Sequence, residues 1–248
     1  MNKFYFYFFR GGGGGGIWCF LRSATENYLN YFNMNKLTKK NFINIATREI
    51  NNYNDPSHDI NHTLRVLSLA EKIATKEKAD LDIVIASAIF HDVIVYPKNH
   101  IKRLASSKES SNFAREILIK ESLFPKEKIE KTCRAIELCS FTKGVKPNFL
   151  EAKILQDADS LEAMGAISIM RTFSSAGQMN KSFYNNIDPF CKKRKPDDHE
   201  YAIDLFFTRL LIVSERLHTK TAKTLAKKRL KFLYSFLKQL EFELSQCI

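Results

Sequence analysis

From Met34 onward, apolar residues recur at three- and four-residue intervals with few strand-like alternations, which predicts an all-α domain. Asp55, Pro56 and Ser57 close the first helix, and Asp59 is placed to cap a second running to about Lys76 or Glu77. On that helix His62, Val66, Leu69 and Ile73 share a stripe, so His62 points toward the core near the helix start. A third helix is expected over roughly Leu81 to Val93, with Val84, Ala88 and His91 on one stripe and Ile85, Ile89 and Asp92 on its neighbour; Pro97 stops it soon after. Further helices are expected over Ser106 to Ile119 and Pro125 to about Leu138. Another runs through EAKILQDADSLEAMGAISIMRTF, where Ala152, Leu155, Asp159, Glu162 and Ala166 keep helical spacing and Asp157 points elsewhere. Ser174 to Asp198 reads as a long irregular loop, followed by helices from about Glu200 to Leu217 and Thr221 to Ser245.

The first 33 residues break this pattern with an aromatic opening, FYFYFF, then Arg10 and six glycines from Gly11 to Gly16. They read as a disordered or artefactual extension with a flexible linker, because the charged start and cleavage site of a signal peptide are missing. Met34 begins MNKLTKKNF, the natural opening of a single domain over 34–248.

At 248 residues and 44% hydrophobic content, that domain can bury a core without disulfides. No stretch approaches the roughly 18 to 20 apolar residues of a membrane span. The five scattered cysteines fit a reducing cytoplasm, with Cys139 as a small apolar filler rather than a nucleophile. A net charge of +12 raises the question of phosphate-bearing partners. Nine basic residues stand against Glu215 between Arg209 and Lys238, and Lys192 to Lys195 add KKRK. Both read as solvated basic surface. A nucleic-acid binder is the less favoured reading, since Phe232, Tyr234 and Phe236 are mixed between faces.

Candidate chemistry sits at four separated positions, His62, His91, Asp92 and Asp159, all at apolar helical positions. Two imidazoles and two carboxylates suit a divalent ion, Mn²⁺ foremost, with Mg²⁺, Fe²⁺, Ni²⁺ or Co²⁺ as alternatives. Such an ion lowers the pKa of bound water and polarises a phosphoryl group. His58 and Asp59 repeat the dipeptide, but their place at a helix start favours capping.

The order H…HD…D, written NHTLRV, AIFHDVIVYPKNH and LQDADSLEAMGA, resembles the HD-domain superfamily of metal-dependent phosphohydrolases. With DPF, YAIDLFFTRLL and LHTKTAKTLAKKR, it is similar to a bacterial branch of stand-alone nucleotide (pyro)phosphohydrolases. The resemblance implies an HD helical bundle with additional C-terminal helices, in which His62, His91, Asp92 and Asp159 are metal ligands. It gives catalytic roles to Asp92 and Lys98, places Lys98 and Asn99 near substrate phosphate, and makes Arg65, Arg103 and Arg171 candidate phosphate contacts. The implied activity is hydrolysis of nucleotides or a related phosphate ester, with pyrophosphate released from triphosphates. A metal and nucleotide sensor without turnover is the alternative, because Cys139, Ser160 and Leu205 replace the polar residues common in the branch. The acid that nucleoside-monophosphate phosphatases of the superfamily supply after HD is also missing, since Val95 and its neighbours are apolar. The implied partner is a small phosphorylated molecule, with a homo-oligomer possible in principle and no membrane span.

Overall fold

Helix starts leave backbone donors that short polar side chains can satisfy, and three such caps organise this bundle. The computed structural model describes residues 34–50, 59–96, 100–139 and 144–246. The described residues contain no β-strand, only an isolated bridge between Ser182 and Tyr201. Among the described residues, eight α-helices carry the fold: α1 Lys36–Ile50, α2 Ile60–Glu77, α3 Leu81–Phe90, α4 Ser106–Lys120, α5 Ile129–Cys139, α6 Leu150–Glu162, α7 Ala166–Gln178 and α8 Lys220–Ser245. No described helix is long and apolar enough to cross a membrane. The expected extension over 1–33 and the turn at Asp55 to His58 lie outside the described residues.

Helix α3 is buried almost all round, as a central helix must be. It packs against α1, α2, α5 and α6. Phe42, Ile73, Ile89, Phe90, Leu118, Ile136 and Leu155 fill the surrounding core. Asp80 caps α3, accepting from the backbone of Asp82 and Ile83, and Lys128 bridges Asp80 and Asp82. A second, smaller core joins Ile203, Phe206 and Leu210 to Leu233 and Leu237 of α8. Phe236 turns inward to stack on Phe206 at 5.5 Å, whereas Phe232 and Tyr234 stay exposed. The aromatics of α8 are thus divided between its faces.

Three expected helices end elsewhere. Helix α3 stops at Phe90, so His91 and Asp92 occupy the turn beyond it. The helix bearing Asp159 breaks at Ala163–Gly165 before α7, because Gly165 adopts φ +82°, a conformation that L side chains rarely take. Beyond Glu200 the chain forms one π turn, Phe206–Leu210, and one 3₁₀ turn, Val213–Arg216, in place of a continuous helix.

Asp157 shows how α6 and α8 are joined. Its buried carboxylate accepts from His218 N and Thr219 N at 2.8 Å and from Thr219 Oγ1 at 2.7 Å. Thr219 in turn caps α8 through Ala222 N. Asp157 therefore faces α8, leaving Asp159 to point elsewhere.

Gly165 is also crossed by a side chain: a Cβ there would meet Arg229 Cγ at 3.3 Å. Gly165→Ala is expected to cost about 1–3 kcal/mol through backbone strain alone. That lowers the melting temperature by roughly 2–12 °C. A melt indistinguishable from wild type would remove the requirement for glycine.

Candidate metal centre

The centre is built where α2, the turn after α3, and α6 meet. Asp59 fixes the start of α2 by accepting from His62 N at 2.9 Å, which locks the first turn and the direction of the His62 ring. Asp59 thus acts as the expected cap. The ring of His62 is 1% exposed. Burial holds it below the ordinary histidine value, against the attraction of Glu162 and Asp159. A neutral imidazole is the form that ligates metal.

His91 is oriented by its own helix: Nδ1 lies 2.9 Å from Ala88 O. A donor is needed at that contact, so the proton belongs on Nδ1 and the Nε2 lone pair faces the centre. His91 Nε2 is buried and has no hydrogen-bond partner among the described residues. A buried acceptor without a partner is costly unless something else satisfies it.

The ligand atoms of His62, His91 and Asp92 lie within 4.8 Å of one another. Asp92 Oδ2 is 3.6 Å from His91 Nε2 and 3.9 Å from His62 Nε2, and Asp159 Oδ1 is 3.6 Å from His62 Nε2. Ligands about 2.1 Å from one ion stand roughly 3–4.2 Å apart, so these separations match a shared cation. The early end of α3 explains the convergence, because a turn frees Asp92 from the 100° step of a helix. The structure brings His62, His91 and Asp92 into one group, with Asp159 beside His62 but outside that group; counted with Asp159, the residues offer two nitrogens and two carboxylates, a donor set that fits a divalent ion.

Glu162 is the residue that sequence reasoning missed. It is 2% exposed, and its Oε2 sits 3.7 Å from His62 Nδ1 and 2.7 Å from Arg65 Nε. Burial opposes its charge, but His62 and Arg65 outweigh that and hold the carboxyl below the usual range. The signal was available, since Glu162 lies three residues beyond Asp159 on the same face of α6. A carboxylate behind a ligating imidazole orients it and raises its basicity. Glu162→Gln is therefore expected to weaken Mn²⁺ binding about 10- to 100-fold in a calorimetric titration. Unchanged affinity would reduce Glu162 to a packing partner of Arg65.

A family model for the HD domain matches residues 59–164. YpgQ of Bacillus subtilis is 34% identical over 190 residues, covering 74% of this chain and 83% of YpgQ. The chain belongs to the HD-domain family. Among solved structures, B. subtilis YpgQ in complex with ADP is 31% identical, with 83% of this chain and 97% of that one covered and a TM-score of 0.62. The Lin1889 protein of Listeria innocua is also 31% identical, covering 86% and 98% with a TM-score of 0.62. A predicted HD superfamily hydrolase from an uncultured Thermotogales bacterium is 28% identical, covering 82% and 91% with a TM-score of 0.56. The HD-domain family is one of metal-dependent hydrolases.

The HD match spans His62, His91, Asp92, Asp159 and Glu162, and ends before α7. Of the candidate phosphate contacts, Arg65 is engaged with Glu162. Arg171, half-buried on α7, acts on His62 through its charge. Arg103 is exposed on a 3₁₀ turn, Arg103–Ala105. Lys98 and Asn99 lie outside the described residues. Cys139 ends α5 with a buried thiol that burial and the charges of Asp159 and Asp92 push well above its ordinary pKa. It borders the centre as a protonated filler, not as a thiolate nucleophile. Ser160 is half-buried, and Leu205 packs on the second core.

Proposed function

We propose that this HD-domain protein is a metal-dependent phosphohydrolase of nucleotides, releasing pyrophosphate from nucleoside triphosphates. The observation that carries the reading is the cluster of His62, His91 and Asp92, with Asp159 beside His62, in a site that arginine charge also reaches. The ADP complex of YpgQ supports a nucleotide as the ligand.

His62, His91, Asp92 and Asp159 hold the ion, of which Mn²⁺ is the first choice and Mg²⁺, Fe²⁺, Ni²⁺ or Co²⁺ the alternatives. A bound divalent ion supplies Lewis-acid charge to the phosphoryl group and to the attacking water. The protein's own residues do the rest. Ala88 O and Glu162 keep the two imidazoles aimed inward. Arg103 and Arg171 neutralise phosphate oxygens, and Lys98 and Asn99, just beyond the metal turn, contact the phosphate being attacked.

A second reading, metal and nucleotide binding without turnover, draws on one observation. Cys139 and Leu205, a protonated thiol and an apolar side chain, offer no group that could transfer a proton near neutral pH. One experiment separates the two. The full-length chain is incubated with mono-, di- and triphosphates of several nucleosides and Mn²⁺ or Mg²⁺, while phosphate and pyrophosphate are quantified. Pyrophosphate from triphosphates is the expected result. Tight nucleotide binding with neither product would establish the binding-only reading.

A further inference from the structure

Helix α6 presents its carboxylates from an unfavourable place. Asp159 and Glu162 both stand in its last turn, where unpaired carbonyls make the helix end negative and repel anions. The sequence of α6 puts no basic residue in that turn to offset the repulsion. The chain then breaks before α7 starts at Ala166, so the terminal carbonyls lose the donors that a continuing helix would bring. Short-range bonds replace part of them: Ala163 N donates to Ser160 O and Met164 N to Leu161 O, each at 3.1 Å.

The missing cation comes from α8. Arg229 Nη1 donates to the carbonyl oxygen of Leu161, 68 residues earlier in the chain. That oxygen belongs to the planar peptide unit whose other end is Glu162 N, so a donor on it sets the tilt of the backbone that carries the Glu162 side chain. Arg229 is half-buried and Leu161 fully buried, a setting in which a charge-assisted bond is little screened. The aliphatic stem of Arg229 lies across Gly165, where a Cβ would stand 3.3, 3.4 and 3.7 Å from Arg229 Cγ, Cβ and Cδ. Glycine at that position thus serves both the turn and the passage of the arginine. Beyond Leu161 the link runs on to the metal centre. Glu162 Oε2 stands 3.7 Å from His62 Nδ1, and Asp159 Oδ1 stands 3.6 Å from His62 Nε2. Both carboxylates come from the turn that Arg229 holds.

We propose that Arg229 is a positioning residue of the metal centre, holding the last turn of α6 from α8 so that Glu162 and Asp159 stay aimed at His62. This role rests on the metal-dependent reading of the site, yet it also has a readout in the metal-free protein. Full-length protein is titrated calorimetrically with Mn²⁺. Arg229→Met, which keeps the stem and removes the donor, is expected to weaken binding about three- to tenfold, below the roughly 10- to 100-fold loss for a direct partner of a ligand. Arg229→Lys should recover part of the loss, and Lys228→Ala, exposed on the same helix, should change nothing. Because the effect passes through Glu162, Arg229→Met should cost less in a Glu162→Gln background than in wild type. In the metal-free protein the imidazole nitrogen resonances of His62 should shift in Arg229→Met, while those of His91, held by Ala88 O, should stay. Unchanged Mn²⁺ affinity in Arg229→Met overturns the proposal, as does an equal loss in both backgrounds. If Arg229→Met melts too early to titrate, Arg229→Gln, which keeps a neutral donor, carries the same comparison. Shifted His62 resonances in a protein that takes up no Mn²⁺ would sink the metal reading and leave Arg229 in place; unshifted resonances, with Mn²⁺ affinity that still depends on Asp92, would do the reverse.

Discussion

Asp92→Ala is expected to strip the centre of metal and to lower turnover about a thousandfold or more. Asp92 Oδ2 stands 3.6 and 3.9 Å from the two imidazole nitrogens, so its removal takes away both a ligand and half of the carboxylate charge among the four candidate ligands. The charge stabilisation lost with the ion amounts to several kcal/mol in the transition state, and each 1.36 kcal/mol is a factor of ten. The fold should tolerate the change, because Asp92 is 30% exposed in a turn and not part of the packed core. Melting curves then provide a readout independent of activity. At a Mn²⁺ concentration 100 times the dissociation constant, the wild type gains about 2.7 kcal/mol, and the variant should gain almost nothing. If Mn²⁺ raised the melting temperature of both proteins equally, Asp92 would not be a ligand.

How much of this centre the sequence reveals varies with what holds each residue. His62 was legible because Asp59 and the stripe through Val66 and Ile73 are local signals that the structure obeys. His91 and Asp92 were legible as a pair but not in their geometry. Periodicity carried α3 to Val93, whereas the turn that lets both side chains face one point begins after Phe90. The break at Gly165 was hidden by the unbroken helical spacing of LEAMGAISIM, in which a single glycine is weak evidence against a helix. Glu162 was read as another stripe position, since its role depends on a histidine about a hundred residues earlier. Arg209 was counted as one charge in a basic helix. Phe206–Leu210 instead forms a π turn, which has no periodic signature.

The KKRK run shows the largest gap between composition and placement. It read as solvated, but Arg194 reaches inward to Asp204, whose side chain is fully buried, with contacts of 2.5 and 2.7 Å. Asp197 N adds a third donor at 2.6 Å, and the guanidinium lies 4.8 Å from the Tyr201 ring centre. Arg194→Ala strands that carboxylate in the interior, a change that costs about 3–5 kcal/mol when one partner of a buried pair is lost. Replacing both partners, as Arg194→Met with Asp204→Leu, should recover much of it. The pH dependence identifies the cause. Burial raises the Asp204 pKa, but Arg194 and the backbone donor outweigh it and hold the carboxyl below its ordinary value. Its stabilising contribution is therefore present above the unfolded carboxylate pKa of about 3.9 and is lost as pH falls through the lower folded value. In Arg194→Ala only the Asp197 backbone donor and Cys191 still oppose burial, so the folded pKa rises and protonation relieves the strain. The stability gap between wild type and variant in urea denaturation should be widest near neutral pH and narrow steadily on acidification. A gap that stays constant down to about pH 4 would mean that lost packing, not a stranded charge, destabilises the variant.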